Sequence, residues 1–116
     1  MQRYRYNCRP GCPVASTLQV ISGKWKAVMI YQVLQQSVCR FHDFKDQFPG
    51  LTTRMLARQL NELVTDGIFE KQIYPVIPPK TEYRLTALGK SLAPLINEMV
   101  KWGELYHHQH PDLVER

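Results

Sequence analysis

Residues 49–71 read PGLTTRMLARQLNELVTDGIFEK: a Pro-Gly turn, two threonines, two arginines about one helical turn apart and a ladder of leucines. With Thr52 or Thr53 as N-cap, a helix running to about Asp66 puts Leu56, Leu60, Leu63 and Val64 on one side. At roughly 100° per residue, Arg54, Arg58, Asn61 and Thr65 fall together on the opposite side. Gly67 supplies a C-terminal stop. Such a helix needs an apolar scaffold beneath it and leaves two guanidinium groups facing outward.

Working outward from this helix, Ile68, Phe69, Ile73 and Tyr74 read as a strand, PVIPP (residues 75–79) as a proline-rich turn, and Thr81 to Leu85 as a return strand. A hairpin directly after an outwardly polar helix is the order of a winged helix-turn-helix. Upstream, Pro10, Gly11 and Pro13 keep residues 1–11 an irregular arm. A short helix then runs from Val14 to Ile21, apolar at Val14, Leu18 and Ile21, and Ser22-Gly23 ends it. Lys24 to Gln35 carries Trp25, Val28, Met29 and Val33, with Tyr31 a further candidate, in a broad stripe that predicts a mostly buried helix. Arg40 to Gln47 places Phe41, Phe44 and Phe48 at helical spacing before Pro49-Gly50.

Downstream, residues 87–108 predict one long helix carrying Leu88, Leu92, Leu95, Ile96, Met99, Trp102 and Tyr106, more apolar surface than a small domain covers by itself. Pro94 should bend it, and the isolated Gly67 and Gly89 read as helix stops. The fold class expected is α+β, mainly helical: a winged helix-turn-helix with a two-stranded wing and a long C-terminal helix. With 116 residues the chain has the length of one domain with one modest core, so residues 1–116 are read as a single unit.

Charge is uneven along the chain. Residues 1–58 hold nine Lys/Arg against two Asp, or +7, and residues 59–116 hold six against eight, or −2. A polyanion partner suits that asymmetry. No run of eighteen apolar residues occurs and no apolar stretch follows the charged N-terminus, which predicts a cytoplasmic protein with no membrane partner. Three cysteines, Cys8, Cys12 and Cys39, are an odd number without a secretory context, so reduced thiols are the expectation. The C-x3-C spacing lacks a second ligand pair, and His107, His108 and His110 sit where the last helix should fray, so no metal and no cofactor are expected. An enzyme is disfavoured too: there is no Ser/His/Asp set, no paired carboxylates in a plausible pocket and no glycine-rich phosphate loop.

Several motifs now occur in order: CPV (residues 12–14), GKW (23–25), RF (40–41), the arginine-bearing helix, YPVIPP (74–79) and EYRLTALG (82–89). From Cys12 to about Tyr106 the chain resembles the HxlR family of bacterial winged-helix transcription regulators. The resemblance implies a homodimer built mainly through the first and last helices, here residues 12–22 and 87–108, with residues 24–86 as the DNA-binding core on double-stranded operator DNA near promoters. It brings no small-molecule effector into view.

Major-groove edges are read by long donors on an exposed helix face, and arginine reads guanine in a bidentate manner, a need that Arg54 and Arg58 meet. Thr52 and Thr53 at the helix N-terminus can donate to a phosphate there, and Gln59 lies toward one edge of the exposed face. Lys71 and Lys80 on the hairpin are candidates for minor-groove or backbone contact. Each would look the same as an ordinary solvated side chain; the resemblance assigns the DNA role. A winged helix used only for protein contacts is the alternative, and it needs no exposed cationic face.

Leu18, Leu92, Leu95, Ile96, Met99, Trp102 and Tyr106 are the expected dimerisation residues. Cys12 stands at the start of the first helix with Arg9 nearby, and both a helix N-terminus and a cation favour a thiolate. Some members of the resembled family sense disulfide stress or electrophiles through a cysteine at this position, which makes Cys12, with Cys8, a redox-sensing candidate. A small buried thiol at a dimer interface is the competing reading. Cys39, beside Val38 and Phe41, reads as core filler.

Overall fold

The computed structural model describes residues 11–113. In chain order these residues form α1 (Pro13–Ile21), α2 (Lys26–Gln36), β1 (Cys39–Arg40), α3 (Phe41–Gln47), α4 (Thr53–Thr65), β2 (Phe69–Tyr74), β3 (Lys80–Leu85), α5 (Ala87–Lys90) and α6 (Ala93–Gln109), with a 3-10 turn at Pro111–Leu113. No helix among them is long and apolar enough to cross a membrane.

The elements start and stop where local chemistry directs. Thr52 caps α4, its Oγ1 accepting from the Met55 amide at 3.0 Å. At the other end Gly67 takes φ +78°, and the amides of Ile68 and Gly67 donate back to the carbonyls of Leu63 and Val64, each at 3.0 Å. That pair of bonds closes the helix in a Schellman motif and turns the chain into β2. In α3 the Asp43 carboxylate accepts from the Arg40 amide at 2.7 Å.

The sheet is antiparallel in the order β1-β3-β2. The wing hairpin pairs Phe69 with Leu85 at its base and Tyr74 with Lys80 at its tip. A third strand joins it: Cys39 and Arg40, which the sequence assigned to core filler and to the start of a helix, pair with Tyr83 and Glu82. Cys39 is nonetheless fully buried, so its role in the core stands beside its role in the sheet.

The final helical region is divided. Thr86 Oγ1 caps α5 by accepting from the Gly89 amide at 3.0 Å, and the hydroxyl donates to the Gly67 carbonyl, tying α5 to the end of α4. The chain then breaks at Ser91-Leu92 and restarts as α6 with Pro94 in its first turn. Pro94 therefore opens a helix, where its missing N–H has no intrahelical partner to lose, instead of bending one. Gly89 is not a stop either: it lies inside α5 against the Ile68 carbonyl, where a Cβ would collide.

The core lies between α2, the inner faces of α3 and α4, the base of the sheet and one residue of α6. Met29, Ile30, Val33, Phe44, Leu56, Leu60, Leu63, Phe69 and Ile96 are buried in it. Phe44 stacks on Phe69 at 6.3 Å and meets Tyr83 edge-on at 5.9 Å, so an aromatic cluster joins α3 to the wing. In α2 the buried stripe includes Ile30, while Val28 faces outward. Similarly in α1, Ile21 is buried but Val14 and Leu18, at the same helical phase, extend past the core into solvent.

Candidate nucleic-acid interface

Helix α4 carries its two faces as its sequence spacing dictates. Leu56, Leu60 and Leu63 are each 0% exposed, and Thr53, Arg54, Met55, Arg58, Asn61 and Thr65 are exposed. The two guanidinium groups are separated by about 6 Å of helix rise and neither is engaged by a carboxylate among the described residues. They are thus available donors on a rigid element. Thr52 is exposed as well, with its Oγ1 occupied as an acceptor and its O–H still able to donate. Gln59, expected toward one edge of the exposed face, lies where that face meets the protein. Its side chain is half-buried and its Oε1 is turned into the protein without a hydrogen-bond partner, which leaves it poorly placed to reach a base.

On the wing, strand alternation puts Lys71 and Lys80 on opposite faces of the hairpin. Lys71 is exposed. Lys80 is half-buried, with Nζ 3.3 Å from Glu82 Oε2 and 5.0 Å from the centre of the Tyr74 ring. Glu82 is the hub of that face: its Oε1 also accepts from the Tyr74 hydroxyl at 3.0 Å and from Arg84 at 2.9 Å. Burial by itself would raise the Glu82 pKa, but the Tyr74 hydroxyl, Lys80 and Arg84 together hold it below the ordinary carboxylate value. Lys80 is therefore spent on wing structure, and Lys71 is the freer cation.

The candidate dimerisation residues divide between two surfaces. Ile96 is 2% exposed and belongs to this chain's own core, with Leu92 half-buried beside it. Leu95, Met99, Trp102 and Tyr106, at spacings of four, three and four, form a continuous exposed stripe along α6, joined by Leu105. Trp102 and Tyr106 stack at 5.4 Å. On α1, Leu18 and Val14 are exposed too. One residue of helical phase, roughly 100°, separates the inward Ile96 from the outward Leu95.

Cys12 is the N-cap of α1, half-buried and not in a disulfide. Cys8 and Arg9 lie outside the described residues. Cys39 donates to Gln36 Oε1 at 3.4 Å, and burial, with the Asp43 carboxylate nearby, pushes its thiol up to about 11. That makes it a poor nucleophile at neutral pH.

Two pairings were missed in the sequence. Glu82 gathers its partners through strand register, and Lys26, 4% exposed, forms an ion pair with Glu62 of α4 at 2.5 Å across 36 positions of chain. A lysine between Trp25 and Ala27 in an otherwise apolar stripe was the only available hint.

A family model described as HxlR-like helix-turn-helix matches residues 20–111. Among curated proteins, the uncharacterized HTH-type transcriptional regulator YdeP of Bacillus subtilis is 45% identical over 96 residues, spanning 83% of this chain and 74% of that protein. A second from the same organism, YybR, is 44% identical over 99 residues, spanning 85% of this chain and 78% of its own. Among solved structures, the redox regulator HypR in its oxidized form is 45% identical with a TM-score of 0.75, covering 80% of this chain and 95% of that one. Its reduced form gives 42% and a TM-score of 0.77, covering 89% and 97%.

Proposed function

The chain belongs to the HxlR-like helix-turn-helix family, and on that premise we propose that it is a sequence-specific DNA-binding transcriptional regulator that acts as a homodimer. The observation that carries the reading is α4: its leucine face is fully buried while Arg54 and Arg58 stand outward with no carboxylate partner among the described residues, the arrangement that inserts a helix in a major groove. Residues 24–86 would read DNA, with Lys71 on backbone phosphates. Residues 12–22 and 87–108 would join two copies, covering the exposed stripes of α1 and α6. A twofold dimer sets half-sites about one helical turn, roughly 10 bp or a multiple, apart. Selection from random duplexes, followed by gel shift over a salt series, tests this. A palindromic consensus and a steep fall in affinity with salt are expected; no preference over random DNA at moderate salt would refute it.

A second reading, redox or electrophile response through Cys12, is favoured by its position. Cys12 caps α1 immediately before the exposed Val14 and Leu18, where a second copy would sit, and relatives of this chain include a redox regulator of known structure. Two thiols, either Cys12 with Cys12 of the second subunit or Cys12 with Cys8, lose two electrons and two protons to an oxidant such as diamide, which becomes the hydrazine, and a disulfide forms. Rotation of the subunits by a few degrees then moves the recognition helices out of register with successive turns of DNA. Operator binding of wild type should change with diamide and that of Cys12→Ser should not. Equal binding of both proteins in both conditions would make Cys12 a packing residue.

A further inference from the structure

The four residues Gly23-Lys24-Trp25-Lys26 lead into α2 and touch both halves of the helix-turn-helix. Gly23 turns the chain at φ +96°, directly after α1. Trp25 packs its ring at 5.3 Å from that of Phe48, the residue that ends α3. Lys24 Nζ lies 5.0 Å from the centre of the Trp25 ring. Lys26 then sends its Nζ to Glu62 Oε1, on the same helix as Arg54 and Arg58 and one turn beyond the latter, with a side-chain exposure of 5% for the lysine and 31% for the glutamate.

A partly buried ion pair such as this one is a poor stabiliser, because desolvation, here mainly of the lysine, offsets much of the attraction and two apolar side chains of similar volume serve stability about as well. What it supplies is direction. Leu56, Leu60 and Leu63 hold α4 to the core through a stripe of similar side chains, and such a stripe resists removal of the helix far more than it resists a small roll about the axis. A hydrogen-bonded ion pair at one edge does resist a roll, since its geometry is narrow. With side-chain tips roughly 6 Å from the helix axis, a 20° roll carries them about 2 Å, well beyond the tolerance of a bidentate guanidinium-base contact.

We propose that Lys26 is a positioning residue for recognition: its ion pair with Glu62 fixes the rotation of α4, and so the place at which Arg54 and Arg58 meet the bases. This rests on the DNA-reading function proposed above. Trp25 against Phe48 anchors the companion helix α3 from the same stretch that sends Lys26 to α4.

The test replaces both charges together, Lys26→Met with Glu62→Met, which leaves the net charge and the electrostatic component of DNA binding unchanged. Wild type, this double variant and the exchange Lys26→Glu with Glu62→Lys are compared for thermal melting, sedimentation, and affinity for the selected operator and for a scrambled duplex at one salt concentration. The apolar pair should melt no lower than wild type, sediment alike and bind scrambled DNA alike. Its ratio of operator to scrambled affinity should fall at least tenfold, and the exchanged pair should recover most of that ratio. A wild-type ratio in the apolar variant, or an exchanged pair that folds yet recovers nothing, overturns the proposal. An apolar variant that melts well below wild type overturns it too, by making the pair a stabiliser of the fold. Absence of operator preference in wild type itself brings down the DNA-reading function and this proposal with it, whereas preference kept in wild type and in the apolar variant counts against Lys26 alone.

Discussion

Arg58→Ala separates reading from folding. Arg58 is exposed on α4, makes no hydrogen bond or ion pair among the described residues, and lies opposite Leu56, Leu60 and Leu63. Truncating it removes no hydrogen bond or ion pair among the described residues, so folding stability should stay within about 0.5 kcal/mol of wild type, with alanine's helix propensity acting in the favourable direction. A bidentate arginine-guanine pair discriminates by about 1 to 3 kcal/mol, which is roughly 5- to 150-fold in affinity. That loss applies to each half-site. A homodimer on a palindrome contains two such arginines, so the symmetric operator should lose about 2 to 6 kcal/mol in total.

The assay is fluorescence anisotropy on the selected operator, on an operator with the contacted base pair altered in one half-site only, and on scrambled DNA. Wild type should lose one increment on the half-altered operator, and Arg58→Ala should be nearly indifferent to the alteration. On scrambled DNA the variant should weaken only by the loss of one cation per subunit. Lys71→Ala should behave differently, weakening all sequences alike and reducing the salt slope by about one per subunit. If Arg58→Ala binds its operator as wild type does, the outward arginines of α4 are not the reading face.

Gly89→Ala should destabilise the fold by about 1 to 3 kcal/mol in chemical denaturation, because its Cβ would enter the space of the Ile68 carbonyl, which accepts from the Thr86 amide at 3.0 Å, and would lie 2.8 Å from Leu85 Cδ2. A wild-type midpoint would show that α5 does not sit on the β2 strand start in solution. Trp102→Glu places a carboxylate in the middle of the exposed α6 stripe and should weaken self-association by at least about 30-fold, the cost of a central interface residue at roughly 2 kcal/mol. Sedimentation at micromolar concentration should give twice the chain mass for wild type and the chain mass for the variant; a wild-type monomer would contradict the dimer. The lowered pKa of Glu82 means that its contribution to wing stability is whole above its unfolded value of about 4.5 and is lost as the pH falls from there through the folded value. Hydrogen exchange at the wing-tip amides of Tyr74 and Lys80, corrected for intrinsic rates, should accelerate over that acid range in wild type and show no such step in Glu82→Gln.

Helix α4 was legible because each of its determinants is local. Thr52 caps it from within the first turn, Gly67 ends it with a backbone conformation glycine adopts at no steric cost, and the leucine spacing states which side is buried. The wing was legible for the same reason, through two short runs, one carrying Ile68, Phe69, Ile73 and Tyr74 and the other Thr81 to Leu85, on either side of a proline-rich turn. β1 was not, since Cys39 and Arg40 become a strand only by pairing with Tyr83 and Glu82 some forty positions later, and two residues carry no periodicity of their own. Lys26–Glu62 and the Glu82 cluster share that character: each is a side-chain meeting decided by how finished elements pack.

The C-terminal region shows a different limit. Leu88, Leu92, Leu95, Ile96, Met99 and Trp102 keep one helical phase closely enough to read as a single stripe of a single helix, yet the chain breaks at Ser91-Leu92 and the stripe then divides between two surfaces. Periodicity reports that a helix has an apolar side; it does not report how wide that side is in angle, and α6 is apolar over more than the arc that one neighbouring helix can cover. Ile96 and Leu92 consume the inner part of the arc on α2 and the core. Leu95, Met99, Trp102 and Tyr106 occupy the outer part, and among the described residues nothing covers them. The apolar surplus of residues 87–108 is therefore resolved in space: one fraction closes this chain's core, and the remainder is a surface whose physical demand, a second apolar face of the same extent, a second copy of the chain would meet by twofold symmetry.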